Sequence, residues 1–171
     1  MSSKPQQYCL DANVLIEAWQ KYYSPKFCPA YWEILNDLGK QGRLFLPKNV
    51  ADEITRTEDD LAEWLKRSDI PIQPIDGNVT KCLSKIYVAN PLHKFLVDNT
   101  RQRSLADPWV IAHAMNSNAC VVTKENLETA ANSKRIKIPN VCENMGIRWI
   151  NDFAFIEEVN ISFYCAIGIS I

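Results

Sequence analysis

The sequence has six cysteines but no Cys-x-x-Cys pair, and no two of them lie nearer than 19 residues. Zinc knuckles and thioredoxin-type redox chemistry are therefore excluded. It also has no excess of positive charge: 19 Lys and Arg against 20 Asp and Glu leave a formal net charge of −1. A global field drawing the chain onto nucleic acid or an anionic membrane is thus lacking, so any phosphate chemistry must come from a local site. Glycine and proline are scarce, 5 and 9 of 171 residues, which rules out collagen-like and low-complexity scaffolds. The first ten residues show no basic segment followed by an apolar one, so no secretory signal is expected and the thiols are expected to stay reduced in a cytoplasm, most of them as small buried hydrophobes. The longest apolar stretch, Ile161 to Ile171, is eleven residues and is interrupted by Ser162, Gly168 and Ser170, short of the roughly 20 residues that cross a bilayer. No membrane contact is expected.

What is present reads as one globular domain, since 171 residues with 47% hydrophobic and 23% charged side chains match one unit of roughly 150 residues. The core is expected over residues 8 to about 158, followed by an apolar tail over 160–171. Tyr8-Cys9-Leu10 is a strand-like run, and Val14 to Tyr23 carries apolar residues at helical spacing. Pro29 to Leu38 repeats that helical pattern and stops near Gly39 and Gly42, Arg43 to Leu46 reads as a strand, and Val50, Ala51 and Ile54 mark a helical face, with a further amphipathic stretch through Leu61, Trp64 and Leu65. Two prolines in Ile70 to Ile75 confine that run to an edge strand or an extended connection. Asp76 resembles a helix N-cap, Leu105 to Met115 is helical, Cys120 to Val122 is a buried strand, Pro139 opens a helix, and Ile147 to Ile150 is a last strand before a helix at Phe153 to Glu158. Strands alternating with helices predict an α/β fold, a three-layer α/β/α sandwich around a central parallel sheet.

In such sheets ligands bind beyond the carboxyl ends of the strands, where the strand order reverses. That rule puts Asp11, after the first strand, and Thr123 with Glu125, after a later one, on the same edge; four acids stand out by position, Asp11, Glu53 in the helix after the second strand, Asp107 near a helix start, and Glu125, separated by 42, 54 and 18 residues. Each acid alone has a plainer reading: Asp11 as a turn residue, Asp107 as a cap before Pro108, Glu53 on a solvated face with Asp52 as its rival, and Glu125 with Glu128 as its rival. Together, carboxylates gathered without basic neighbours repel one another and require a cation, and oxygen-only ligands select hard ions such as Mg²⁺ or Mn²⁺. Such a site suits hydrolysis of phosphodiesters.

The segments Leu10-Asp11-Ala12-Asn13-Val14-Leu15-Ile16, Val50-Ala51-Asp52-Glu53-Ile54, Asp107-Pro108-Trp109-Val110-Ile111-Ala112 and Val121-Val122-Thr123-Lys124-Glu125 resemble, in order, the four motif blocks of PIN-domain ribonucleases. The Lys137-Ile138-Pro139-Asn140-Val141-Cys142 stretch and the Trp109 context are similar to a bacterial PIN-like subfamily of unknown function. The resemblance implies metal-dependent cleavage of single-stranded RNA with Asp11, Glu53, Asp107 and Glu125 as metal ligands, Asn13 and Thr123 as supporting hydrogen-bonders, and a toxin role with a protein antitoxin as partner. Two positions depart from the family pattern: Ala12 stands where a hydroxyl is common, and Glu125 where Asp is. The alternative they raise is a catalytically weak or inactive PIN-like module that binds RNA or protein. A phosphoryl-transfer protein of receiver or phosphatase type is a third option, against which Asn13 stands in place of a second Asp.

Other residues invite plainer expectations. His113 is expected as a satisfied, partly buried histidine, and His93 as part of a polar loop. Neither points to a nucleophile triad. Lys134, Arg135 and Lys137 with Arg101 and Arg103 form a candidate phosphate-binding set or a solvated loop. Trp64, Trp109 and Trp149 are expected in the core, whereas Trp19, Trp32, Tyr22, Tyr23 and Tyr31 offer a candidate partner surface. The apolar tail is expected to be buried, in the monomer or in a homodimer.

Overall fold

The computed structural model describes residues 5–97, 105–130 and 135–167. The three inner strands of its sheet are short, wholly buried apolar runs, as expected of parallel strands covered on both faces, while the two edge strands are shorter and only partly covered. The strands are β1 (Tyr8–Leu10), β2 (Leu44–Pro47), β3 (Ile72–Gln73), β4 (Cys120–Val122) and β5 (Trp149–Ile150). The order is β3-β2-β1-β4-β5 and every pairing is parallel. β1 lies at the centre, with Cys9 opposite Phe45 on one side and Val121 on the other. β3, flanked by Pro71 and Pro74, is an edge strand, where a missing N–H costs no ladder bond.

Parallel strands require crossovers, which the helices supply: α1 (Ala12–Glu17), α2 (Pro29–Lys40), α3 (Lys48–Thr55), α4 (Asp60–Arg67), α5 (Gly77–Ala89), α6 (Asp107–Ser117), α7 (Ile138–Met145) and α8 (Asp152–Glu158). The chain moves outward from β1 to β3 and then returns to the far side of β1 for β4. Right-handed crossovers in opposite directions place their helices on opposite faces. Accordingly α1 packs with α3 and α3 with α4, while α5, α6 and α7 pack against one another and α6 covers β1, β2 and β4. α6 is apolar nearly all round, with Val110, Ile111, Ala112 and Ala114 fully buried, as suits a helix enclosed between sheet and neighbouring helices. α2 approaches the chain so closely that a Cβ on Gly39 would lie 2.8 Å from the Ile70 Cα.

Several local expectations need correction. The helix read over Val14 to Tyr23 is α1 followed by a π-helical turn, Ala18–Tyr22, in which Tyr23 N–H reaches back five residues to the Ala18 carbonyl at 2.7 Å. His93 does not sit in a polar loop. It belongs to a 3₁₀ helix, Pro91–Leu96, and is buried, with Nδ1 2.6 Å from the Ile86 carbonyl and Nε2 3.1 Å from Asn144 Nδ2. His113 is wholly buried, and neither ring nitrogen has a partner among the described residues, so it is a core histidine but not a satisfied one. Burial pushes its pKa down, which keeps it neutral.

The aromatic segment is chiefly interior rather than a partner surface. Tyr31 and Trp32 are buried, Trp19 and Trp64 pack edge-on against Trp32, and Tyr23 stacks on Tyr31. The tail is only partly covered. Ile161 packs on the core and the Phe163 ring stacks on Tyr23 at 5.2 Å, but Tyr164 and Ile167 are 96% and 95% exposed. Asn160, in a left-handed conformation, turns the chain after α8. Residues 168–171 lie outside the described residues, as do Arg101, Arg103 and Lys134 of the basic set. Among the described residues no helix is long and apolar enough to cross a membrane. Four of the six thiols, Cys9, Cys82, Cys120 and Cys142, are buried, whereas Cys28 is half-buried and Cys165 exposed.

Candidate functional site

The strand order reverses between β1 and β4, and the crevice beyond their carboxyl ends is where a parallel sheet of this kind offers a site. Asp11 leaves β1 there. Its backbone N–H donates to the Val122 carbonyl at 3.0 Å, so the two strand ends are tied together at the exit. It occupies the N-cap position of α1 without making the usual side-chain cap bond there. Oδ2 accepts the Thr123 hydroxyl at 2.8 Å, and Thr123 Oγ1 in turn accepts the Glu125 N–H at 3.2 Å. Asn13 Oδ1 accepts the Lys124 N–H at 3.1 Å. Two side chains from the start of α1 thereby clip the three residues that follow β4.

Glu125 points toward the first turn of α7, where its Oε2 accepts the Ile138 N–H at 2.8 Å, a favourable place for a negative charge. Glu53 is half-buried on α3, while its rival Asp52 is exposed and paired with Lys48. The other rival, Glu128, folds back on its own loop, accepting the Ala130 N–H at 3.0 Å. Asp107 is the first residue of α6 rather than its N-cap, which is Ala106, and it is buried. α6 leads directly into β4, so its C-terminus lies at the amino edge of the sheet. Its eleven residues, about 16 Å of helix, carry Asp107 back to the carboxyl edge. The Val110 carbonyl lies 3.5 Å from Cys9 Sγ, which fixes the first turns of α6 against β1.

Asp11 is 4% exposed and its carboxyl is pushed up to about 7. Burial is the main cause. The Thr123 hydrogen bond opposes it, and the charges of Glu125 and Glu53 add to it. Burial also raises Glu53, against the pull of Arg56. The structure thus brings Glu125 and Glu53 each close enough to act on Asp11, and Asn13 and Thr123 into direct hydrogen bonds at the same edge. Among the described residues no three His, Cys, Asp or Glu side chains form a ready metal-ligating array. Yet a buried carboxylate whose field is set by two further carboxylates is the donor chemistry a hard dication relieves.

Two residues of this edge escape the four-acid reading. Lys124, between Thr123 and Glu125, places its ammonium 2.8 Å from Asp152 Oδ2. Asp152 follows β5 by two residues, so the rule that acids after strand ends gather at the carboxyl edge would have found it. The Cys9 thiol is raised well above its ordinary value by burial and by Asp11, which leaves it inert as a nucleophile.

Thirteen chains of solved structures resemble this one. Among them is a chain of the crystal structure of VapBC2 from Rickettsia felis bound to a DNA fragment from their promoter, with a TM-score of 0.56 and 16% identity, covering 85% of this chain and 98% of that one. At that identity the likeness is one of fold. No curated protein matches the sequence. The model of DUF4411, a domain of unknown function, matches residues 8–163, and the chain belongs to that family.

Proposed function

We propose that this protein is a divalent-metal-dependent nuclease of PIN type that hydrolyses phosphodiester bonds of single-stranded RNA. The observation that carries the reading is Asp11: an enclosed carboxylate at the switch point of a parallel sheet, held by Thr123 and set in the fields of Glu125 and Glu53. Asp11, Glu53, Asp107 and Glu125 would hold Mg²⁺ or Mn²⁺. Such an ion supplies Lewis acidity toward water and toward a phosphate ester. The chain's own part is orientation. Thr123 fixes Asp11 Oδ2 and, through the Glu125 N–H, the turn that presents Glu125; Asn13 holds the intervening Lys124 N–H. The first turn of α6 presents Asp107 from the opposite face of the sheet.

The fold likeness to a VapBC2 chain extends the proposal to a toxin held by a protein antitoxin. The competing reading is a module that binds RNA without cutting it. It is favoured by Ala12, which offers no hydroxyl, and by the Ile138 N–H that already engages Glu125.

The test is cleavage of a single-stranded RNA by the purified chain with Mn²⁺ or Mg²⁺. Cleavage is expected to stop on chelation, and Asp11→Asn and Asp107→Asn are expected to remove it while leaving the chain folded. Wild-type rates in both variants would show the assigned acids to be wrong, and RNA binding without cleavage under either ion would favour the binding module.

A further inference from the structure

Lys124 is a cation built into the floor of the acid edge. Its side chain is 12% exposed and its partner Asp152 5%. Nζ lies 2.8 Å from Asp152 Oδ2 and 3.9 Å from Glu17 Oε2, and it sits over the Tyr22 ring at 4.4 Å and the Phe153 ring at 5.4 Å. One ammonium therefore ties β4 to α1, through Glu17 and the adjoining π-turn, and to the first turn of α8. The backbone around it is tied as firmly: Thr123 N–H donates to the Ile150 carbonyl at 3.1 Å, and Lys124 N–H to Asn13. A buried ion pair is a poor source of stability, because the cost of stripping water from both charges offsets their attraction, and apolar residues of like volume commonly serve the fold as well. What it supplies is geometry.

We infer that the Lys124–Asp152 pair is a positioning device that holds Thr123 and Glu125 in register with Asp11. Lys124 touches neither substrate nor reacting atoms in this role. It draws the carboxyl end of β4 down between α1 and α8, and it offsets the charges of Glu17 and Asp152, so that the negative field at the edge belongs to Asp11, Glu53 and Glu125. The inference rests on the nuclease reading for its functional consequence, but the mechanical part stands on the contacts alone.

The decisive experiment compares wild type with the charge-free pair Lys124→Met/Asp152→Asn in three measurements: thermal midpoint, amide hydrogen exchange at Lys124 and Glu125, and calorimetric Mn²⁺ affinity. The pair is expected to fold with a midpoint near that of wild type, yet to lose protection at both amides and to bind Mn²⁺ more weakly by on the order of 10- to 100-fold, the usual cost of releasing a ligand's support. On an RNA substrate kcat is expected to fall more than KM rises, and Lys124→Arg, which keeps the cation, is expected to recover part of the loss. Wild-type protection and Mn²⁺ affinity in the charge-free pair would overturn the inference. If that pair does not fold, Asp152→Asn, which keeps an acceptor for Nζ, carries the same readouts. A wild-type chain that neither binds Mn²⁺ nor cuts RNA would defeat the nuclease reading alone; the amide exchange would then decide the positioning role by itself.

Discussion

Asp11 makes the most demanding prediction, because its ionisation works against the fold that holds it. Its ordinary value is 3.8 and in the folded chain it lies near 7. Between those values the folded state holds a proton that the unfolded state has released, so stability falls as pH rises from about 4 to about 7 and stays low above that. At about 1.4 kcal/mol for each tenfold difference in proton affinity, the full gap is worth about 4 kcal/mol. Asp11→Asn removes the charge and keeps an oxygen that accepts the Thr123 hydroxyl. In metal-free buffer the variant should therefore be more stable than wild type at pH 8 by up to about 4 kcal/mol, which for a domain of this size is a rise of about 8–16 °C in Tm. The difference should shrink to nothing by about pH 4. Adding Mn²⁺ at a hundred times its Kd should return about 2.7 kcal/mol to the wild type and little to the variant. Chemical or thermal unfolding of both proteins from pH 4 to 8, with chelator and then with Mn²⁺, checks each part. Parallel stability curves for the two proteins would refute the account of Asp11 as a buried carboxylate whose charge opposes the fold.

Thr123→Val keeps the shape of the side chain but removes the hydroxyl that bridges Asp11 and the Glu125 N–H. It should cost about 1–3 kcal/mol in urea unfolding and raise the Asp11 carboxyl further, visible by side-chain carboxyl NMR titration. His113→Leu removes two buried ring nitrogens that lack partners and should be neutral or stabilising, by up to about 2 kcal/mol. Because burial lowers the His113 pKa, the wild type should lose stability as pH falls below about 6.5, and the leucine variant should be spared that loss. Gly39→Ala puts a methyl group against the Ile70 backbone at 2.8 Å and should destabilise by about 1–3 kcal/mol by thermal unfolding, although alanine is the better helix former.

The parallel sheet is legible in the sequence because its strands are short apolar runs broken by helical patterns, and Pro71 and Pro74 mark the edge strand by the hydrogen bonds they cannot donate. The carboxyl edge is legible too, since a strand's end names the residue that emerges there: Asp11, Thr123 and Glu125 fall where the rule puts them. Lys124 is less visible, because a lysine between two polar residues reads as solvent-facing and only the packing of Tyr22 and Phe153 over it shows otherwise. His93 fails for the same reason: burial of an isolated polar side chain depends on which helices meet over it, and α5, α6 and α7 meet through residues far apart along the chain; for His113 the burial is legible and only the lack of partners is not. The π-turn at Ala18–Tyr22 leaves the 3.6-residue apolar pattern nearly intact, so periodicity reads straight through it.

The placement of β1 at the middle of the sheet has a consequence for how the protein comes into being. β1 acquires its second neighbour only when Val122 follows Leu10 out of the ribosome, and at 5–20 residues per second that is a wait of roughly 6–22 s. Throughout that interval one flank of β1 is an open template for stray pairing, and Asp11 has neither its threonine nor its glutamate. A nascent chain therefore carries Asp11 long before it carries a pocket, and the pocket waits for β4 to slot in beside β1.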